Sequence, residues 1–155
     1  MNILQEIVDA KRREVSDRVT LMPIEALQRE ALDLAAPPSF PAVFAGDGMG
    51  IIAEVKRRRP SAGIIRVPFE PAEIARAYEA GGAGAVSVLM DEPYFGGGEA
   101  QFREVRAAVD LPLLYKEFVI DPWQVWHARS LGASALLLIA AVLSDQELKE
   151  LMAEA

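Results

Sequence analysis

Apolar residues near the start of the chain recur at spacings of three and four: Ile3, Leu4, Ile7, Val8 and Val15, with Lys11, Arg12 and Arg13 between them. That is the period of a helix with one buried stripe. A second, shorter helix is predicted over residues 24–32. Ala35-Ala36-Pro37-Pro38 then reads as an extended linker, because proline disfavours helix at itself and at the residue before it. From residue 51 the pattern changes. Four short apolar runs, at residues 51–55, 85–89, 113–116 and 135–139, alternate with helical stretches at 72–80, 100–109, 123–130 and 145 onward. The runs are apolar throughout rather than alternating, as in strands of a parallel sheet covered by helices.

Local signals mark where the helices start and stop. Ser144 with Glu147 three residues on forms a capping box. Asp121-Pro122 puts a capping carboxylate before a first-turn proline, and Glu70-Pro71 reads the same way. Gly81-Gly82 and Gly132 fall where left-handed C-caps belong. Residues 80–85 and 130–135 repeat one helix-to-strand turn. The chain is thus α/β, with a helical extension at residues 1–48 and a (βα)4 unit at 49–155. Such a series builds either a doubly wound sheet or a barrel. No Gly-x-Gly-x-x-Gly follows the first strand, which disfavours a dinucleotide-binding half.

The 155 residues are 52% hydrophobic and 25% charged, enough for one domain with a real core. Net charge is -7, which argues against nucleic acid as a partner. The basic run Lys56-Arg57-Arg58-Arg59 needs a local explanation against that background. With no cysteine, thiol catalysis and thiolate metal sites are excluded; with one histidine, His127, so is a His-rich metal site. The N-terminus lacks a signal-peptide layout, and the longest apolar stretch, residues 133–143, is too short to span a membrane. The expected compartment is the cytoplasm.

Function in parallel βα units collects at the C-terminal ends of the strands. The first strand ends Glu54-Val55-Lys56, so Glu54 and Lys56 share a face; the pair reads as a site or as a structural ion pair. Lys116 ends the third strand and reads as a general acid or as a surface lysine at a loop entrance. The loop at residues 91–98 holds Tyr94, Phe95 and three glycines; it suits an aromatic ligand or a plain connection. Trp123, Trp126 and His127 read as packing residues, and Met90 as core or pocket wall.

These residues resemble the indole-3-glycerol-phosphate synthase family. Ile52-Ala53-Glu54-Val55-Lys56-Arg57-Arg58-Arg59-Pro60-Ser61-Ala62-Gly63-Ile64-Ile65 is similar to that family's Ile-Ala-Glu-Val-Lys-Arg-x-Ser-Pro-Ser-x-Gly-x-Ile. Gly82-Ala83-Gly84-Ala85-Val86-Ser87-Val88-Leu89, Asp91-Glu92-Pro93-Tyr94-Phe95-Gly96-Gly97 and Leu111-Pro112-Leu113-Leu114-Tyr115-Lys116-Glu117-Phe118 carry it further, and it runs from the first helix to the end. The resemblance implies the first half of a TIM (β/α)8-barrel and a lyase of tryptophan biosynthesis that needs no cofactor and no metal. The implied substrate is a phosphorylated small molecule, 1-(2-carboxyphenylamino)-1-deoxyribulose 5-phosphate, whose ring closes with loss of carbon dioxide and water. It implies Lys116 as general acid, Lys56 as a substrate contact and second donor, and Glu54 as an orienting or relaying carboxylate. Pro60, Ser61, Phe95, Phe118 and Leu137 are implied to line the substrate pocket.

The sequence departs from the family pattern at Arg59, where serine is usual, at Met90 for threonine, and at Glu117 for aspartate. The pattern further implies a fifth-strand glutamate, a sixth-strand Asn-x-Arg and phosphate loops near strands seven and eight, beyond the four βα units seen here. The expectation for the chain alone is therefore either a competent half that needs a complementing C-terminal half, or a folded, inactive half-barrel that self-associates as a homodimer.

Overall fold

The computed structural model describes residues 3–60, 63–65 and 67–155. Helix α1 (Ile3–Leu21) buries Ile7, Val8, Lys11 and Val15 along one stripe, as the spacing predicts. Helix α2 (Ile24–Asp33) buries Leu27 and Ala31, and a 3-10 turn follows at Pro41–Phe44. Strand β1 (Ile52–Val55) leads into an antiparallel hairpin of β2 (Arg58–Arg59) and β3 (Gly63–Ile64). The chain continues through α3 (Pro71–Ala80), β4 (Ala85–Leu89), α4 (Glu92–Phe95), α5 (Glu99–Ala108), β5 (Leu113–Lys116), α6 (Pro122–Ser130), β6 (Ala135–Leu136) and α7 (Asp145–Glu154).

The main sheet has the order β1-β4-β5-β6, all parallel. Each of its strands lies beside the next one along the chain. A doubly wound sheet reverses its order at a switch point; a barrel does not. The order therefore decides for the barrel-type progression.

Alternation along the strands sorts residues to two faces. Val55, Val86, Val88, Leu113 and Tyr115 join Ile74, Phe102, Val105, Val125 and Leu151 in the core between sheet and helices. Each such side chain contributes about 1.5–3 kcal/mol by leaving water. Glu54, Ser87 and Leu114, partners in register, point to the other face, as do Leu89 and Lys116 in the next layer.

The Ser144 capping box and the Asp121 cap are both formed. Glu70 makes no capping bond, so α3 starts on its proline alone. Gly82 and Gly132 take positive φ, but Gly81 does not: at φ -80 it is the last ordinary turn before the reversal. The fourth strand ends at Leu136 rather than Ile139, because it has only one neighbouring strand and two register partners. The hairpin and α4 lie in stretches read from sequence as loops.

Charge, rather than apolar contact alone, fixes the N-terminal helices to the sheet. Lys11 is 2% exposed, and its ammonium sits 2.6 Å from Glu14, 2.9 Å from Glu117 and 3.3 Å from Asp91. Asp91 follows β4 and Glu117 follows β5, so α1 is pinned over the ends of the two central strands. Burial pushes the Lys11 pKa down, but the attraction of Glu117 and hydrogen bonds to Glu14 and Glu117 outweigh it and hold it above its ordinary value. Burial raises the Glu117 carboxyl, with Lys11 opposing. Hydrogen bonds to backbone carbonyls complete the attachment: Trp123 Nε1 donates to that of Met22 at 2.8 Å, and the Arg129 guanidinium to those of Leu34 and Ala35.

Removing Lys11 would leave Asp91 and Glu117 buried without their cation. Lys11→Ala is expected to cost about 3–5 kcal/mol in urea unfolding, against less than about 1 kcal/mol for Glu14→Gln at the half-exposed rim. Similar small losses for both variants would contradict the buried clamp.

Candidate active site

The sheet face opposite the helices carries one ionic cluster. Glu54 points from β1 and Lys116 from β5, and the two strands flank β4. Their side chains meet above it, with Lys116 Nζ 3.3 Å from Glu54 Oε2. Lys56, two residues beyond Glu54 and on its face, donates to Oε1 at close range. One carboxylate thus holds two ammonium groups. All three side chains are about a third exposed or less, so the cluster is partly open to solvent while the strands fix the stems. The Tyr78 hydroxyl, from α3, donates to the Glu54 carbonyl at 3.0 Å and anchors the strand behind the cluster.

Burial raises the Glu54 pKa, but the hydrogen bond from Lys56 and the nearby Lys116 charge outweigh that and hold the carboxyl below its ordinary range. At neutral pH the cluster therefore presents an ionised carboxylate between two proton donors. Such a group can bind an anion, polarise a carbonyl and pass a proton across its width.

The expected aromatic residues divide. Phe95 ends α4 and Phe118 follows β5, and their rings lie 6.4 Å apart at 31°, a half-buried pair between adjacent strand-end loops. Gly96 in the left-handed conformation turns the chain directly after Phe95. Pro60 is exposed at the turn of the β2–β3 hairpin, and Leu137 is half-buried just past β6. Among the described residues no hydrogen bond, ion pair or ring contact joins either to the cluster. Ser61 lies outside the described residues.

The departures from the family pattern fall away from the cluster. Arg59 is exposed on the hairpin, with no side-chain hydrogen bond or ion pair among the described residues. Met90 is 6% exposed and belongs to the helix-side core, so its missing hydroxyl is no loss to the cluster face. Glu117 alternates with Lys116 onto the opposite face, where it reaches Lys11. In the basic run, Arg58 has a structural role: its guanidinium donates to the Glu92 carbonyl at 3.0 Å and to that of Pro93, docking the hairpin on α4.

His127 is packed, as expected: it stacks on Trp123 at 4.8 Å, and its ring nitrogens meet the Tyr115 hydroxyl at 3.0 Å and Glu99 at 3.2 Å. Two residues escaped the sequence reading, though each left a signal. Lys11 interrupts the buried stripe between Ile7 and Val15, and Ser87 is the one polar residue in the run at 85–89. A polar residue at a core position demands a partner.

Comparison with known proteins places these features in one family. Residues 4–155 match the family model described as indole-3-glycerol phosphate synthase. The chain is 47% identical over 159 aligned positions to the indole-3-glycerol phosphate synthase of Acidithiobacillus ferrooxidans, covering 99% of this chain and 60% of that protein. It is 48% identical to the chloroplastic enzyme of Arabidopsis thaliana, across 97% of this chain and 39% of that protein. To the Rhodopirellula baltica protein of the same name it is 46% identical, across 97% and 59%. The chain thus spans about 60% of the length of these bacterial relatives. Its four-stranded parallel sheet is part of that family's TIM barrel, and the chain belongs to the indole-3-glycerol phosphate synthase family.

Proposed function

We propose that this chain supplies the proton-donating half of an indole-3-glycerol-phosphate synthase acting on 1-(2-carboxyphenylamino)-1-deoxyribulose 5-phosphate. The observation that carries the reading is the sharing of Glu54 between Lys56 and Lys116. The reaction joins the carboxyl-bearing ring carbon to the ketone carbon, releases the carboxyl group as carbon dioxide, and removes the former carbonyl oxygen as water. That oxygen must be protonated twice. Lys116 is the general acid at the carbonyl. Lys56 holds the substrate's negative charge and donates as the hydroxyl leaves. Glu54, ionised in the resting cluster, orients both ammonium groups and relays protons between them by taking one up transiently and passing it on.

Phe95 and Phe118 offer a wall for the aromatic ring. Pro60 and Leu137 complete that wall in this reading, and Ser61 is a substrate contact by the family pattern alone. Residues 49–155 act as the first half of the barrel, and 1–48 as the extension clamped over the strand ends. The phosphate and the remaining contacts come from a complementing C-terminal half. A second reading, a folded but inactive half that self-associates, is favoured by the exposure of Ile51 and Ile52 along the edge strand β1. No membrane partner is invoked; among the described residues no helix is long and apolar enough to cross a bilayer.

Product fluorescence tests the first reading, using the chain with a separately expressed second half of a full-length relative. Turnover is expected only in the mixture, and Lys116→Ala should reduce it by about 10²–10⁴-fold, the usual worth of a general acid. Full activity in Lys116→Ala would remove this lysine from the role. No turnover by a well-folded mixture would favour the inactive reading, which light scattering checks directly: that reading expects a dimer at micromolar concentration, and a clean monomer contradicts it. Glu54→Gln keeps the shape but removes the charge, and should lower kcat by about 10–100-fold if proton relay is its role. A rise in KM alone would make Glu54 a binding group instead.

A further inference from the structure

Ser87 is 3% exposed, and among the described residues its hydroxyl has no hydrogen-bond partner. A buried hydroxyl without a partner is a standing cost that alanine at the same place would avoid. Its position is specific. Ser87 is the register partner of Glu54 on β1, and parallel-strand partners point to the same face. The next residue on that face, Leu89, is the register partner of Lys116. The Glu54–Lys116 ion pair reaches across β4, the strand that carries Ser87.

We propose that Ser87 is a positioning residue that replaces Lys116 at Glu54 when the lysine turns to the substrate. Once Lys116 turns to a carbonyl and gives up a proton it is a neutral amine, and its 3.3 Å contact no longer offsets the charge at Glu54 Oε2. The carboxylate would then lose one of its two cations while Lys56 still holds Oε1. The Ser87 O–H, one strand away in the same layer, then donates to the vacated oxygen. Glu54 keeps two donors throughout, so it remains ionised and aimed. No bond is made or broken in this step apart from the exchange of one hydrogen bond for another. The catalytic meaning rests on Lys116 being the acid; the exchange itself does not.

A stability cycle on the chain tests the exchange without any turnover. With Lys116 present, Ser87→Ala should leave the urea-unfolding constant unchanged or lower it, because an unpartnered hydroxyl is removed. In the Lys116→Met background, where Ser87 has taken the lysine's place, Ser87→Ala should raise that constant by about tenfold or more, the worth of a hydrogen bond to a charged group. An equal effect in both backgrounds, or none in the second, overturns the proposal. In the complemented enzyme, Ser87→Ala should lower kcat by about tenfold at unchanged KM, with Ser87→Thr restoring it. Full activity of Ser87→Ala would overturn the catalytic part. If the wild-type mixture has no turnover while the cycle succeeds, the proposed function fails and the exchange stands.

Discussion

One carboxylate claimed by two lysines organises this molecule's chemistry. Glu54 draws Lys56 from the end of its own strand and Lys116 from the strand beyond its neighbour, so the ends of β1 and β5 are tied across β4 through a single group. The attraction is strong enough to overcome the cost of partly burying the charge, because two cations oppose one desolvation penalty. The parallel register supplies the geometry. It puts Glu54 level with Ser87 and Leu114, and sets Lys116 one layer nearer the strand ends.

The same alternation keeps a second ionic system apart from the first. Lys116 and Glu117 are adjacent in sequence yet serve opposite faces. Lys116 joins the open cluster; Glu117 turns beneath α1 and meets the buried Lys11. One system is accessible and suited to exchange partners with a ligand. The other is sealed, and holds the N-terminal helix across the ends of β4 and β5. Two of the departures from the family pattern, Met90 and Glu117, lie on the sealed face, and Arg59 projects from the hairpin. They alter the scaffold around the cluster without entering it.

Much of this was legible in the sequence, because period-two and period-three-to-four patterns survive wherever an element buries one face. The helices other than α4, three of the four main strands, the Ser144 capping box and the Glu54/Lys56 pairing follow from spacing alone. Residues 58–64 gave no such signal: the hairpin has two residues per strand, is mostly exposed, and is held by the Arg58 guanidinium on α4 carbonyls. The last strand came out shorter than its apolar run because hydrophobicity marks burial, whereas strand length depends on a neighbour's backbone. The meeting of Lys116 with Glu54, 62 positions apart, required the register of three strands and was carried beforehand only by family resemblance. Lys11 and Ser87 were missed because a polar residue inside an apolar pattern is easily passed over as an interruption.

The central claim, that Glu54 is held ionised by both lysines at once, is open to direct observation by carbon-13 NMR of its side-chain carboxyl during a pH titration. The account predicts a midpoint below the ordinary glutamate range in the unaltered chain, moving up toward that range in Lys56→Met and again in Lys116→Met. A carboxyl that titrates as an ordinary glutamate, indifferent to the loss of either lysine, would contradict it.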